Sequence, residues 1–378
     1  MNISSYNNND YRLWIEQIKI QIKQSQIKAV VAVNSELIFL YWEIGKQIVE
    51  KQKTASWGSG LIEQISSDLR EEFPELTGFS AKNLRYCRAF YSFYSSYQIQ
   101  RKVVADSIYS IWQQPVAEIQ QADLDRVVLS KLGMIPWGHH IIIQQYNKEP
   151  IKAIFYINQT IENNWSRSVL QMQIESKLFE RQGKAVNNFK LTLPKPQSDL
   201  ANQLLKDPYN FSFLTLENDV QELELERQLV KNISHFILEL GKGFAYMGRQ
   251  FPLRVNNKEY RLDLLFYHVK LKCYFVIELK TRDFEPEFVG KLNFYLSAID
   301  SLIKEDTDEP TIGMLLCKTK DNLNVEFALR DLNKPIGVSE FTFNELPENL
   351  QKSLPTVEEL ERELFFKIRK TNKSLKII

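Results

Sequence analysis

Two carboxylates and an amine interrupt a pair of otherwise apolar predicted strands in the stretch RLDLLFYHVKLKCYFVIELKT, residues 261–281. These residues are Asp263, Glu278 and Lys280. Because side chains alternate between the two faces of a strand, Glu278 and Lys280 point to the same side. An antiparallel neighbour can bring Asp263 beside Glu278, where the two carboxylates repel each other and each is costly to bury. A divalent cation removes both problems, so the pattern predicts a metal site.

Magnesium suits this pair of carboxylates. It is a hard cation that takes oxygen ligands, usually from one or two carboxylates together with waters and substrate phosphate. The backbone carbonyl of Leu279 is a further candidate ligand, and Mn²⁺ is a candidate substitute for Mg²⁺. We expect Lys280 to orient or help to deprotonate an attacking water, or to stabilise charge on the transition state. The arrangement predicts metal-dependent hydrolysis of a phosphodiester.

A solvated Glu–Lys pair on two surface strands is the alternative interpretation, because a lone E-x-K triplet is common. Two features favour the catalytic interpretation. The run CYFVIELK is apolar on both faces before Glu278, which is typical of an interior strand. In addition, an Asp occupies the matching place on the paired strand, and an amphipathic helix precedes both strands.

The composition limits the class of protein. A chain of 378 residues, 44% hydrophobic and 25% charged, predicts two or three domains of a soluble globular protein. Its apolar runs are too short for a membrane span, and its start lacks the pattern of a secretory signal. Three separated cysteines favour a reducing, cytoplasmic setting, and no zinc-binding spacing is present. The net charge of +1 does not by itself indicate a nucleic-acid partner, so any such role needs a local basic patch.

The pattern of elements changes along the chain. Residues 10–181 predict a mainly α-helical domain, from apolar residues repeating at three- and four-residue spacing. Residues 182–207 are polar and carry prolines, which predicts a linker. Residues 208–345 predict an α/β domain, a mixed sheet flanked by helices in the order α-β-β-β-α-β. Residues 346–378 predict a C-terminal helix and a tail.

A helix-turn-helix pattern lies in the N-terminal half. We expect one helix over residues 60–72, a turn over FPELTGF, and a second helix for which Ser80 is the N-cap. The first turns of the second helix carry polar side chains that recognition helices use on bases and phosphates. These residues are Lys82, Asn83, Arg85 and Arg88. A helical bundle with a solvated polar face is the alternative.

A wider set of motifs accompanies the candidate site. The C-terminal half contains ELERQLVKNISHFILELGKGFAYMGRQ, RLDLLFYHVKL, VIELKTRDFEPEFVGKLNFYL, TIGMLLCK and ALRDLNKPIGVSEF, and the N-terminal half contains LYWEIGKQI, WGSGLIEQISSDL, GFSAKNLRYCRAFY and IPWGHH. The first set, which covers most of residues 217–360, resembles the PD-(D/E)XK nuclease superfamily and, within it, the YhcG-like family. The second set resembles the companion domain of that family. The resemblance implies a restriction-endonuclease-like fold and a winged-helix-like or related DNA-binding domain.

The resemblance assigns Asp263 to the Asp of the family motif, and Glu278 and Lys280 to its E-x-K. This chain departs from the pattern at two positions. Leu262 stands where the motif's name has Pro, at a position that tolerates change. Lys291 stands where the family is expected to have Gln, and a lysine offers phosphate a point charge without the two-way hydrogen bonding of an amide.

The resemblance also implies a helical acidic residue that supports the metal site. Glu226 fits that role, while Glu222 and Glu224 are rivals, because an error of one turn in the predicted helix would exchange them. A solvated acidic face is the alternative for each of them. Gln250 is a weaker candidate for a contact with the substrate or with the residues that hold the metal, and an ordinary polar residue at the end of a strand is the alternative.

The leading hypothesis is a magnesium-dependent DNA endonuclease targeted by its N-terminal domain. The resemblance implies restriction-associated, mobile-element, recombination or repair settings in a prokaryote. One rival is a DNA-binding or scaffold protein whose nuclease fold no longer cuts, which Lys291 keeps open. Another is an RNA-directed nuclease, although no RNP or KH signature favours it. A homodimer is a further hypothesis, because many nucleases of this class cut two strands by pairing.

Overall fold

The computed structural model describes residues 8–54, 60–96, 121–146, 149–214 and 220–343. The chain divides into two compact units between Leu170 and Gln171. The C-terminal helix and tail predicted at residues 346–378 lie outside the described residues. None of the described helices combines the length and the apolar character that crossing a membrane requires.

Helices and turns make up the described part of the first unit. The helices are α1 (Asn8–Thr54), α2 (Leu61–Glu72), α3 (Ala81–Tyr94), α4 (Gln121–Leu132), α5 (Trp137–Tyr146) and α6 (Pro150–Asn163), with a 3₁₀ turn at Thr77–Phe79. The predicted cap is present, because the Oγ of Ser80 accepts a hydrogen bond of 3.2 Å from the backbone N–H of Asn83. The helix-turn-helix pattern over α2 and α3 therefore folds as predicted.

A mixed sheet forms the centre of the second unit. Its described strands are β1 (Val186–Asn187), β2 (Tyr209–Asn210), β3 (Phe244–Val255), β4 (Lys258–His268), β5 (Cys273–Lys280), β6 (Ile312–Cys317) and β7 (Ile336–Thr342). They lie in the order β1-β7-β6-β5-β4-β3, and β2 also pairs with β7. Strands β5, β6 and β7 are parallel, whereas β3, β4 and β5 are antiparallel neighbours.

Helices cover both faces of this sheet. They are α9 (Phe189–Thr192), α10 (Gln197–Leu204), α11 (Glu222–Lys231), α12 (Ile233–Leu240), α13 (Pro286–Leu302) and α14 (Asn322–Leu329). Two helices precede them in the chain, α7 (Arg167–Glu175), within which the division between the units falls, and α8 (Leu178–Arg181). One apolar core contains buried residues of α9 to α12, and the other contains buried residues of α13 and α14. The predicted α-β-β-β-α-β order and the mixed sheet flanked by helices are confirmed.

Strand β5 is the interior strand that its apolar sequence predicts. It lies between β4 and β6. Ile277 packs into the core of α11 and α12, while Val276 packs into the core of α13 and α14. Leu264 on β4 pairs with Ile277, and this register brings Asp263 to the level of Glu278.

Residues 182–207, predicted from the sequence to be a linker, fold as part of the second unit. Val186 on β1 pairs with Val338 on β7, and Phe189 and Leu205 are fully buried in its core. The linker prediction is wrong because local composition, here prolines and polar residues, does not show pairing with distant strands. The segment is held instead by strand pairing and by burial against residues far along the chain.

A buried ion cluster joins this segment to helix α12. Glu239 accepts hydrogen bonds from the guanidinium of Arg181 at 2.5 Å and from the backbone N–H of Asn210 at 2.9 Å. The Nζ of Lys206 lies 3.7 Å from the second carboxylate oxygen, and all three charged side chains are buried. Burial acts to raise the pKa of Glu239, but Lys206 and Arg181 outweigh it and hold that pKa below its usual value.

Replacing Glu239 with alanine is expected to destabilise the protein strongly, because Arg181 and Lys206 would stay buried without their carboxylate. Removing one partner of a buried ion pair typically costs about 3–5 kcal/mol. The free energy of unfolding of the full chain, from denaturant titration, measures the loss. Glu326→Ala, on the exposed surface of α14, is the control and should change that energy by less than about 0.5 kcal/mol. Equal losses in the two variants would contradict the stabilising role of the cluster.

Candidate active site

Asp263, Glu278 and Lys280 lie together where β5 ends, beside β4. The Nζ of Lys280 is 3.5 Å from the Oε1 of Glu278, as expected for side chains two positions apart on one strand. The Oδ2 of Asp263 accepts a hydrogen bond of 2.9 Å from the backbone N–H of Leu279, which ties the β4 carboxylate to β5. Glu278 is fully buried and Lys280 is nearly so. The fold therefore places two carboxylates and an ammonium in one group, in which Glu278 and Lys280 are buried and Asp263 is half-buried.

Burial and mutual repulsion raise the pKa values of both carboxyl groups. For Glu278 burial is the largest cause and the charge of Asp263 adds to it, while Lys291 and Lys280 act in the opposite direction. For Asp263 burial is again the largest cause, opposed by the hydrogen bond from Leu279 and by the two lysines. The state in which both carboxyl groups are ionised is therefore unfavourable in the metal-free fold, and this is typical of a site that binds a cation.

Lys280 is held by acceptors on several sides. Its Nζ donates to the backbone carbonyl of Leu279 at 2.7 Å and to the Oε2 of Glu222 at 2.9 Å. The carbonyl of Leu279, a candidate metal ligand from the sequence, is thus engaged by this ammonium. Glu222, at the start of α11, is partly exposed and stands at the outer side of the group.

Glu226 lies deeper on helix α11. Its carboxylate accepts hydrogen bonds from the Nη1 of Arg249 at 3.2 Å and from the Nε2 of Gln250. Burial, followed by the charge of Asp263, raises the pKa of Glu226, although Gln250 and Arg249 oppose the shift. Gln250 has a φ of 45°, in the left-handed region that a side chain seldom adopts, so its position beside Glu226 carries local backbone strain.

The three acidic residues of α11 separate by helical phase. Glu222 and Glu226 are four residues apart and therefore share a face of the helix, the face toward the site. Glu224 accepts instead from Gln228 on its own helix, at 2.8 Å. The sequence left the three as rivals, and the structure brings two of them to the site.

Lys291 reaches the site from helix α13. Its Nζ donates to the Oε1 of Glu278 and lies 5.3 Å from the centre of the Tyr295 ring. The side chain is 46% exposed, in contrast to that of Lys280, which is 7% exposed. Burial acts to lower the pKa of Lys291, but the hydrogen bond and the charge of Glu278 outweigh it and raise that pKa. The contact with Glu278 was not predicted, because it depends on how α13 packs against the sheet.

The two sheet carboxylates fit a divalent cation. The Oε2 of Glu278 is buried and has no hydrogen-bond partner, which is costly in an apolar interior unless another group meets it. Within the described ranges, no set of three or more His, Cys, Asp or Glu side chains is arranged to hold a metal ion. Asp263 and Glu278 are accordingly the residues that would hold it, since two carboxylates with waters are a common magnesium set.

Asn83, one of the predicted DNA contacts, serves the packing of the first unit. Its Nδ2 donates to the carbonyl of Gly78 at 2.7 Å, and its Oδ1 accepts from the Nε1 of Trp137 at 2.7 Å. The side chain thus ties α3 to the preceding turn and to α5. An amide committed in this way on both sides is not placed to read a base.

The basic residues of α3 remain on its outer surface. Lys82 is exposed, Arg85 pairs with Glu63 of α2, and Arg88 donates to the Oε1 of Gln52 at 3.3 Å. A wing would be a β-hairpin, and the first unit contains no strand in the residues that the structure describes. The helix-turn-helix part of the prediction therefore has a structural counterpart, and the wing has none in this part of the chain.

Comparison with known proteins agrees with this geometry. Residues 202–355 match a family described as "YhcG PDDEXK nuclease domain", and residues 17–181 match one described as "DUF1016 N-terminal domain". The Escherichia coli (strain K12) protein "Putative nuclease YhcG" is 30% identical over 337 residues, which are 86% of this chain and 88% of that protein. This chain belongs to the YhcG-like family of PD-(D/E)XK nucleases. The family resemblance and the restriction-endonuclease-like fold expected from the sequence are confirmed.

A solved structure is also similar over a shorter region. It is the crystal structure of a repair endonuclease from Pyrococcus abyssi, with a TM-score of 0.25 and 17% identity. The similarity covers 35% of this chain and 50% of that one. A TM-score and a sequence identity this low carry no information about the substrate of the YhcG-like chain.

In this YhcG-family chain, replacing Asp263 with asparagine is expected to stabilise the metal-free protein. The raised pKa of Asp263 means that its ionised form is disfavoured by the fold, and an asparagine oxygen can still accept from the N–H of Leu279. The expected gain is about 0.5–2 kcal/mol near pH 8, the usual range for a stabilising substitution. Denaturant titration in EDTA measures it.

The stability gained by Asp263→Asn is expected to depend on pH. A carboxyl whose pKa is raised on folding favours the folded state most below its unfolded pKa of about 4, and that advantage is lost as the pH rises through the folded pKa. The gain from Asp263→Asn should therefore shrink toward zero as the pH falls to about 4. Asp331→Asn, at an exposed position, is the control and should show no gain at either pH. A loss of stability at pH 8 in Asp263→Asn would refute the prediction.

Proposed function

We propose that this protein is a metal-dependent endonuclease that hydrolyses phosphodiester bonds in DNA, with Mg²⁺ as cofactor and Mn²⁺ as a substitute. One observation carries the proposal. A half-buried carboxylate, Asp263, lies beside the fully buried carboxylate of Glu278, Glu278 keeps an oxygen without a partner, and the ammonium of Lys280 stands beside them. Membership of a PD-(D/E)XK nuclease family supports the phosphodiester as the bond that is broken.

Each residue of the proposed site has a distinct role. Asp263 and Glu278 would hold the cation, which when bound polarises the phosphorus–oxygen bond and lowers the pKa of a water ligand. Lys280 would act as a donor, because its ammonium has no acceptor site and is already fixed by Leu279 and Glu222. We therefore assign to Lys280 the stabilisation of negative charge on the reacting phosphate, in preference to accepting a proton.

Glu226 supports the site indirectly in this proposal. It holds Arg249 and Gln250 by hydrogen bonds, and the side chain of Arg249 is partly exposed. A guanidinium and an amide fixed in this way are suited to phosphate and sugar oxygens of the substrate. The exposed ammonium of Lys291 at the rim is suited to a neighbouring phosphate.

Two other functions lead to different experimental results. A DNA-binding or scaffold protein would bind DNA and leave it intact, and an RNA-directed nuclease would cut RNA in preference to DNA. Pairing of two chains to cut both strands stays a hypothesis within the main proposal. The restriction-associated, mobile-element, recombination or repair setting is likewise a hypothesis that the family relationship motivates.

Glu278→Gln and Lys280→Met are each expected to lower DNA cleavage by at least about a hundredfold, the usual loss when one group that stabilises transition-state charge is removed. Glu278→Gln removes a ligand charge, and Lys280→Met removes the ammonium while keeping an unbranched side chain. Cleavage of supercoiled, linear and branched DNA would be followed with Mg²⁺, with Mn²⁺ and with EDTA.

Glu224→Gln is the matched control for this test. Glu224 lies on the same helix as Glu222 and Glu226, but its carboxylate contacts Gln228 outside the site. The control should cut as fast as the wild type, and all variants should bind DNA in the absence of metal. Wild-type protein that binds DNA but never cuts it would support the scaffold alternative. Faster cutting of RNA at the same salt concentration would favour the RNA-directed one.

We further propose that the exposed face of α3 contacts DNA phosphates. The support is its exposed Lys82, together with Arg85 and Arg88, whose partners Glu63 and Gln52 lie at the surface. Phosphate contacts position a protein on DNA and make its affinity dependent on salt. Asn83 is left out of this surface because it is committed to packing.

Lys82→Ala combined with Arg88→Ala is expected to weaken DNA binding at low salt and to reduce the slope of log affinity against log salt by about one per lost phosphate contact. Fluorescence anisotropy in EDTA at several salt concentrations measures both quantities. Glu63→Ala is a control of opposite sign, since it releases Arg85 and should tighten binding. Unchanged slopes in all variants would show that this face does not meet DNA.

A further inference from the structure

Two ammonium groups meet one oxygen of Glu278. The Nζ of Lys291 donates to Oε1, and the Nζ of Lys280 lies 3.5 Å from the same atom. The other oxygen, Oε2, is buried and unpartnered. The carboxylate of Glu278 therefore has two ammonium groups near Oε1 and no hydrogen-bond donor at Oε2.

The two lysines are held very differently. Lys280 is buried and is fixed by the carbonyl of Leu279 and by Glu222. Lys291 extends from α13, is 46% exposed, and is held by Glu278 and the ring of Tyr295. A lysine has a flexible stem and a compact, strongly hydrated charge, so the half-exposed Lys291 can move from the buried carboxylate of Glu278 into solvent with little rearrangement.

We propose that Lys291 is the counter-ion of Glu278 in the metal-free protein and that a divalent cation must displace it in order to bind. An ammonium and a divalent cation repel each other strongly at the separation that sharing one buried carboxylate imposes. Lys291 thus lowers the affinity of the site for metal, while it offsets the repulsion between Asp263 and Glu278 before metal arrives. This inference rests on the metal site of the proposed function.

The first test is metal affinity, measured without DNA and without a cleavage reaction. Mn²⁺ is titrated into the full chain at pH 8.5, with free ion followed by electron paramagnetic resonance and heat by calorimetry. Lys291→Gln is expected to lower the Kd for Mn²⁺ by about tenfold, because no ammonium has to move. Lys291→Arg keeps the charge and is expected to bind no more tightly than the wild type.

Matched controls separate this effect from a general change in charge. Lys334→Gln removes an ammonium that pairs with Asp300 at 2.5 Å. Asp300 lies on helix α13 nine positions after Lys291, which is about 14 Å along the helix axis. Lys334→Gln should leave the Kd unchanged. Glu278→Gln should abolish the site, and thermal unfolding of each variant confirms that the fold is intact.

Three results would each overturn the inference. The first is a Kd for Mn²⁺ in Lys291→Gln that equals or exceeds that of the wild type, and the second is equal tightening in Lys291→Gln and Lys291→Arg. The third is the absence of any Mn²⁺ site that depends on Glu278. Tightening in Lys291→Gln without DNA cleavage by the wild type would keep the inference and refute the proposed nuclease. DNA cleavage by the wild type, together with an unchanged Kd for Mn²⁺ in Lys291→Gln, would refute the inference and support the proposed nuclease.

Discussion

Repulsion between Asp263 and Glu278 is the constraint on which the surroundings of the site depend. Strand β5 must be apolar on both faces to lie inside the sheet, yet its end carries a carboxylate opposite another on β4. The backbone N–H of Leu279 and two lysines compensate, and the raised pKa values of both carboxyl groups show that the compensation is incomplete. Helices α11 and α13 are placed so that their polar side chains reach this point while their apolar faces cover the sheet.

The strands around the site could be predicted because their information is local. Apolar runs with few turn residues indicate buried strands, and alternation along a strand places Glu278 and Lys280 on one side. The register between β4 and β5 follows from a short turn, so the approach of Asp263 to Glu278 could also be anticipated. The family motifs then gave this local pattern a chemical interpretation that the comparisons with known proteins support.

Other features depend on contacts that no local pattern reveals. The choice among the acidic residues of α11 depends on helical phase, and an error of one or two residues changes which of them faces inward. The contact of Lys291 with Glu278 needs the packing of α13 on the sheet, and the role of Asn83 needs α5 beside α3. Residues 182–207 appeared to be a linker because their partners on β7 are distant in sequence.

The same segment bears on how the chain can be divided for expression. The matched regions end at residue 181 and begin again at residue 202, so β1 belongs to neither. A fragment that begins at residue 202 would leave part of β7 as an open edge, with N–H and C=O groups able to pair with another molecule. It would also lack Arg181, so Glu239 would keep Lys206 but lose its closest cation. A fragment of the second unit that stays in solution as a single species should therefore start before helix α8.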